Sequence, residues 1–144
     1  LKITGFFLFS LLTCVAGCSP SGFAHDEPLV GPYRLVAVDA DAEMGICWSV
    51  PKSDGDCVGD GLPTDTVYAA GYDERYLVAA VHPTARGKPI NKSETNYYYV
   101  IRTSEEQSRF PLGQIRGPLN QTQYEAAKAK LNLPEFSRVF DMLR

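Results

Sequence analysis

Two β-rich runs, Val67 to Tyr72 (VYAAGY) and Tyr76 to His82 (YLVAAVH), flank the polar trio Asp73, Glu74 and Arg75. Runs of β-formers joined by so short a polar link read as a hairpin. Its second strand is apolar on both sides, with Val78 and Ala80 on one and Leu77, Ala79 and Val81 on the other. A strand of this kind needs cover on both faces, or on one face plus a partner. The hairpin is therefore central, and the rest of the chain must supply its cover.

Three further segments carry strand patterning between turn signals. Tyr33 to Val38 is the first, and Gly45 to Val50 the second, stopped by Pro51. Asn96 to Arg102 is the fifth strand in order, with Tyr97, Tyr99 and Ile101 on one face and Tyr98 and Val100 on the other. Towards the C-terminus the apolar period changes from two to 3.6. Asn120 with Gln123 three residues on forms a capping box, and the helix it opens runs to about Leu131 with Tyr124, Ala127 and Leu131 on one stripe. Asn132 can cap a second helix, with Pro134 in its first turn and Phe136, Val139, Phe140 and Leu143 at amphipathic spacing. The expected class is α+β: an antiparallel meander of about five strands with one or two short helices packed on one face.

The N-terminus has a different character. Lys2 precedes an apolar run of about ten residues, Ile3 to Leu12, the length of a signal h-region and too short to span a bilayer. The following Val15-Ala16-Gly17-Cys18 resembles the lipobox of bacterial lipoproteins, in which cleavage precedes the Cys and its sulfur carries a diacylglycerol. The resemblance implies a signal peptide over residues 1–17, lipidation of Cys18 and attachment to a membrane outside the cytoplasm. Ser19, rather than Asp, implies the outer membrane of a Gram-negative envelope, facing the periplasm. Residues 18–30 hold Pro, Gly and Ser without periodicity and read as a flexible tether. Residues 31–144 then form a single globular domain.

Cys14 leaves with the leader and Cys18 with the lipid, so Cys47 and Cys57 remain for a disulfide. A metal site is disfavoured there, since no CxxC exists and His25 and His82 lie far off in sequence. Around this pair the carboxylates crowd: Asp39, Asp41, Glu43, Asp54, Asp56, Asp60 and Asp65, against Lys52 alone. Such a stretch can dock a basic partner, hold a hard cation or serve as solubilising turn charge. The calcium reading lacks ligands, because Val58 and Asp65 stand where an EF-hand loop needs an oxygen ligand and a Glu. Basic residues follow in Arg86, Lys88, Lys92, Arg102, Arg109 and Arg116, giving the chain two electrical ends. The net charge of −3 offers no general attraction to nucleic acid.

The order of Gly31-Pro32-Tyr33-Arg34-Leu35, Val67 to Ala80, Tyr97 to Ile101 and Gly117-Pro118-Leu119 resembles a group of small bacterial lipoproteins classed as a domain of unknown function. That resemblance implies a small, lipid-anchored sheet domain and supplies no catalytic residues. No nucleophile elbow, P-loop, GxGxxG or HExxH occurs in the sequence. The expectation is therefore a non-enzymatic, cofactor-free module that binds another envelope protein in an accessory, inhibitor or immunity-type role. Trp48, Asp54, Asp56 and Asp60 in and beside the Cys47–Cys57 loop are the candidate contacts, Trp48 as an exposed anchor. The alternative is a small-molecule or envelope-polymer binder using a tyrosine-rich sheet face.

Overall fold

A computed structural model describes residues 22–84 and 88–144. Residues 1–17, Cys18 and Arg86 lie outside the described residues. Among the described residues nine strands and one α-helix follow in order: β1 (His25–Val30), β2 (Tyr33–Ala37), β3 (Gly45–Ser49), β4 (Cys57–Val58), β5 (Thr66–Tyr72), β6 (Tyr76–His82), β7 (Asn96–Ile101), β8 (Ile115–Leu119), α1 (Gln121–Leu131) and β9 (Arg138–Val139). They form a sheet-rich α+β fold with two antiparallel sheets, ordered β1-β2-β3-β4 and β8-β7-β6-β5-β9. The expected single five-stranded meander is thus two sheets, the smaller of them one cover of the central hairpin.

Side-chain alternation sets the layers. On β2 and β3 the inward residues Tyr33, Leu35, Ala37, Ile46 and Trp48 meet Val67, Leu77, Ala79, Val81 and Val100 from the second sheet in one buried cluster. The other side of β6 and β7 presents Val78, Tyr97 and Tyr99 to Tyr124, Ala127 and Leu131 of α1, with Leu133 and Phe136 beyond it. Both faces of β6 are covered, as its apolar composition requires. The layers run four-stranded sheet, five-stranded sheet, helix.

α1 begins where its cap dictates. Asn120 Oδ1 accepts the Gln123 N–H at 2.9 Å, and Gln123 Oε1 accepts the Asn120 N–H at 2.9 Å. Each such cap contributes about 1 kcal/mol. The expected second helix does not form. Asn132 ends α1 in the left-handed conformation, with φ 54° and ψ 54°, a geometry Asn tolerates well. The chain beyond it is extended and pairs Arg138 and Val139 with Ala70 and Ala69 at the open edge of β5. Ser137 and Phe140 donate their N–H groups to Ala70 and Tyr68. Phe136 packs in the helix-side cluster while Phe140 and Leu143 pack in the inter-sheet core. The apolar spacing that suggests one helical stripe instead serves two separate cores.

The smaller sheet also recruits chain that the sequence assigns to the tether. His25–Val30 is a strand joined to β2 by the two-residue turn Gly31-Pro32, where Gly31 has φ 53°. Glycine reaches that left-handed value without a Cβ penalty. Pro28, which lacks an N–H for the ladder, lies in this edge strand beside a register shift. His25 stacks edge-on to Phe140 at 5.5 Å, and Arg138 lies 3.5 Å from Glu27, so β1 adjoins the β9 edge of the other sheet.

Candidate functional site

Residues on the outer face of the four-stranded sheet alternate with those of the core. On β2 these are Arg34 and Val36, followed by exposed Val38; on β3 they are Gly45 and Cys47. Cys47 and Cys57 form a disulfide with Cα atoms 5.6 Å apart. It ties β3 to β4 and closes a loop whose cross-link stabilises by about 2–3 kcal/mol. The segment after β4 then folds back over β3, where a Cβ on Gly45 would lie 3.2 Å from Thr64 Cα. This close return leaves depressions on either side of it.

One depression, about 470 Å³, is lined by Phe23, Val36, Val38, the disulfide and Asp56. A second, about 580 Å³, is lined by Asp39, Ala40, Asp65, Thr84 and Lys88. Val38, Glu43 and Thr64 border both, so the two adjoin. The result is a groove with an apolar floor and a rim carrying Asp39, Glu43, Asp56 and Asp65. Lys88 is the one cation among its described lining residues. Asp54 and Asp60 are exposed, as is Asp56. Carboxylates gathered around a depression focus a negative potential and favour a cationic, partly apolar ligand. No three His, Cys, Asp or Glu side chains among the described residues are arranged to hold a metal ion.

Trp48 is placed differently from the expected exposed anchor. Its side chain is on the inner face, 5% exposed, packed edge-on to Phe110 at 5.7 Å. Its indole N–H donates to the Glu106 carbonyl at 2.7 Å. Alternation along β3 explains this, since Cys47 and its neighbour Trp48 must point to opposite faces. The disulfide and the acidic residues therefore share one surface, and the tryptophan belongs to the core beneath it.

Other residues singled out in the sequence have structural occupations. His82 Nδ1 meets the Glu94 carbonyl at 2.7 Å, which fixes its proton on Nδ1, and the ring stacks on Tyr68 at 4.2 Å. Tyr97 stacks on Tyr124 at 4.6 Å and Tyr124 on Phe136 at 6.0 Å, so α1 and the chain after it lie on the tyrosine face. Burial pushes the Tyr97 hydroxyl up from its ordinary pKa, with Tyr68 nearby adding to the shift. Among the described basic residues, Arg102 pairs with Glu106 at 2.6 Å, Arg109 pairs with Glu105 at 3.5 Å, and Lys88 borders the acidic groove.

A further cavity went unread in the sequence. It measures about 630 Å³ and lies between Tyr33 at the start of β2 and the link from β7 to β8, residues 102–114. That link lacks periodicity, and Tyr33 is distant from it in sequence, so only the turn-forming Pro111 and Gly113 mark it in advance. No family model matches this chain, and neither does any curated protein or solved structure. No helix among the described residues is long and apolar enough to cross a membrane.

Proposed function

We propose that this protein is a non-enzymatic, lipid-anchored module of the bacterial cell envelope that docks a basic segment of another envelope protein. Cys18 carries the lipid, placing the domain on the periplasmic side of the outer membrane. The likeness to small bacterial lipoproteins points the same way. Inhibitor, immunity-type and assembly-accessory roles belong to this class.

The acidic groove on the outer face of the four-stranded sheet is the observation that carries the reading. Its floor of Val36, Val38 and Phe23 suits an apolar side chain, and Asp39, Glu43, Asp56 and Asp65 suit flanking Lys or Arg. The disulfide holds β4 and its loop in place before contact, lowering the ordering entropy lost on binding. Asp54, Asp56 and Asp60 extend the negative field along that loop and accelerate encounter. Both histidines are engaged in packing, with Phe140 and Tyr68 respectively, which favours a binding role over acid–base chemistry.

The test is affinity capture of the full-length protein from its native envelope, comparing wild type with the Asp54→Lys, Asp56→Lys, Asp60→Lys triple variant. A basic partner recovered with wild type and lost with the variant, and released by high salt, supports the reading. Equal recovery by both proteins removes the acidic loop as the contact.

A further inference from the structure

The chain itself limits how far Cys18 can lie from the acidic groove. Ala24 already belongs to the domain: its N–H donates to the Val38 carbonyl at 3.1 Å, and from His25 onward the chain is paired with β2. Phe23, one residue earlier, lines the groove beside Val36 and Val38. Five residue steps separate Phe23 from Cys18. A fully extended chain covers at most about 3.6 Å per step, so Cys18 stays within about 18 Å of the groove wall. A lipid on Cys18 therefore holds this wall close to the bilayer surface in every orientation of the domain.

The groove also has a direction. Its Phe23 end is the end at which β1 begins and β2 finishes, opposite the Gly31-Pro32 turn. Three exposed carboxylates gather there. Asp39 follows β2, Glu43 precedes β3, and Asp65 precedes β5, whose Val67 N–H donates to the Met44 carbonyl. Asp56 marks the other end, where Cys57 pairs with Ser49 at the close of β3. Space then decides what can enter from the anchored side. A folded domain of about 100 residues has a radius of gyration of about 13 Å, too thick for a gap of that depth. A single extended segment, about 5 Å wide along a sheet and about 10 Å through its side chains, fits.

From the short reach between Cys18 and Phe23 and the carboxylates at the anchored end of the groove, we infer that the docked basic segment belongs to a protein embedded in the same bilayer and leaves the membrane directly beside a membrane-spanning element. This inference rests on the docking reading above and on the lipid at Cys18. A segment so placed enters at the Phe23 end. Its Lys or Arg meets Asp39, Glu43 and Asp65 first, and its apolar side chain settles on Val36 and Val38. Confinement of both proteins to one membrane raises their effective concentration, so a modest intrinsic affinity suffices.

The experiment uses the processed, lipid-bearing protein in phosphatidylcholine vesicles, with a photo-crosslinking amino acid at position 38. Two probes carry the same stretch of Lys and Arg with one Phe. One is a soluble peptide, and the other is a designed membrane-spanning peptide whose helix runs straight into that stretch. A second form of the protein has about 30 proline-rich residues inserted between Ser21 and Gly22, a stiff spacer of about 90 Å. The soluble peptide should crosslink equally to both forms. The embedded peptide should crosslink to the natural form and fall about tenfold or more with the spacer. Equal crosslinking of the embedded peptide to both forms, or to neither, while the soluble peptide labels both, would overturn the inference and leave the docking reading standing. A soluble peptide that labels neither form would overturn the docking reading and the inference with it. A natural form that fails to float with the vesicles would remove the anchor, and the inference would fall on that ground alone.

Discussion

Tyr33 anchors one end of the core and is also the residue most out of balance with its surroundings. Its ring fills space between the sheets while its hydroxyl is buried without a partner among the described residues. An unsatisfied buried hydroxyl costs about 1–3 kcal/mol, which the packing of the ring offsets. Its ionisation has a further consequence. The folded-state pKa is raised from 10 to about 12, so the folded chain holds a proton that the unfolded chain releases above pH 10. The stabilisation is whole below pH 10 and is lost as pH rises through 12. A shift of this size corresponds to about 3 kcal/mol. Denaturant unfolding followed from pH 9 to 12 should therefore show a fall in stability that is distinctly smaller in Tyr33→Phe. An identical fall in both proteins would assign the alkaline sensitivity to Tyr124, Tyr97 and Tyr98, whose hydroxyls burial also raises.

Among the elements, the C-terminal strand depends on a glycine. A Cβ at Gly71 would stand 2.0 Å from the Glu135 carbonyl oxygen, a backbone atom that must then shift. Gly71→Ala should displace residues 135–140 from the β5 edge and remove hydrogen-exchange protection from the Ser137 and Phe140 amides. β5 to β7 should keep theirs, and retained protection at Ser137 and Phe140 would show that the crossing tolerates a side chain. This strand also shows where sequence reading ends. The β5–β6 hairpin and the Asn120 cap were legible because local chemistry decides them: a short polar link in one, a reciprocal side-chain box in the other. β1, β8 and β9 were not, since β1 lies in the aperiodic stretch before the Gly31-Pro32 turn, β8 reaches β7 across the link 102–114, and β9 pairs with β5 far back along the chain. The disulfide and the exposed Asp54, Asp56 and Asp60 were legible from composition and spacing. The burial of Trp48 required knowing which side of β3 faces the second sheet.

For the whole molecule, three layers divide the labour. The five-stranded sheet is covered on one side by α1 and the chain that follows, and on the other by the smaller sheet. What the smaller sheet leaves outward is the Cys47–Cys57 disulfide, the apolar floor at Val38 and a rim of carboxylates. Docking at this face is the central claim, and a photo-crosslinking amino acid placed at exposed Val38 addresses it most directly. Tyr72, exposed on β5 and outside the groove, is the matched control position. In native envelopes the account predicts a discrete crosslinked product from position 38, suppressed by high salt and absent from position 72. A product from position 72 with none from position 38 would contradict it.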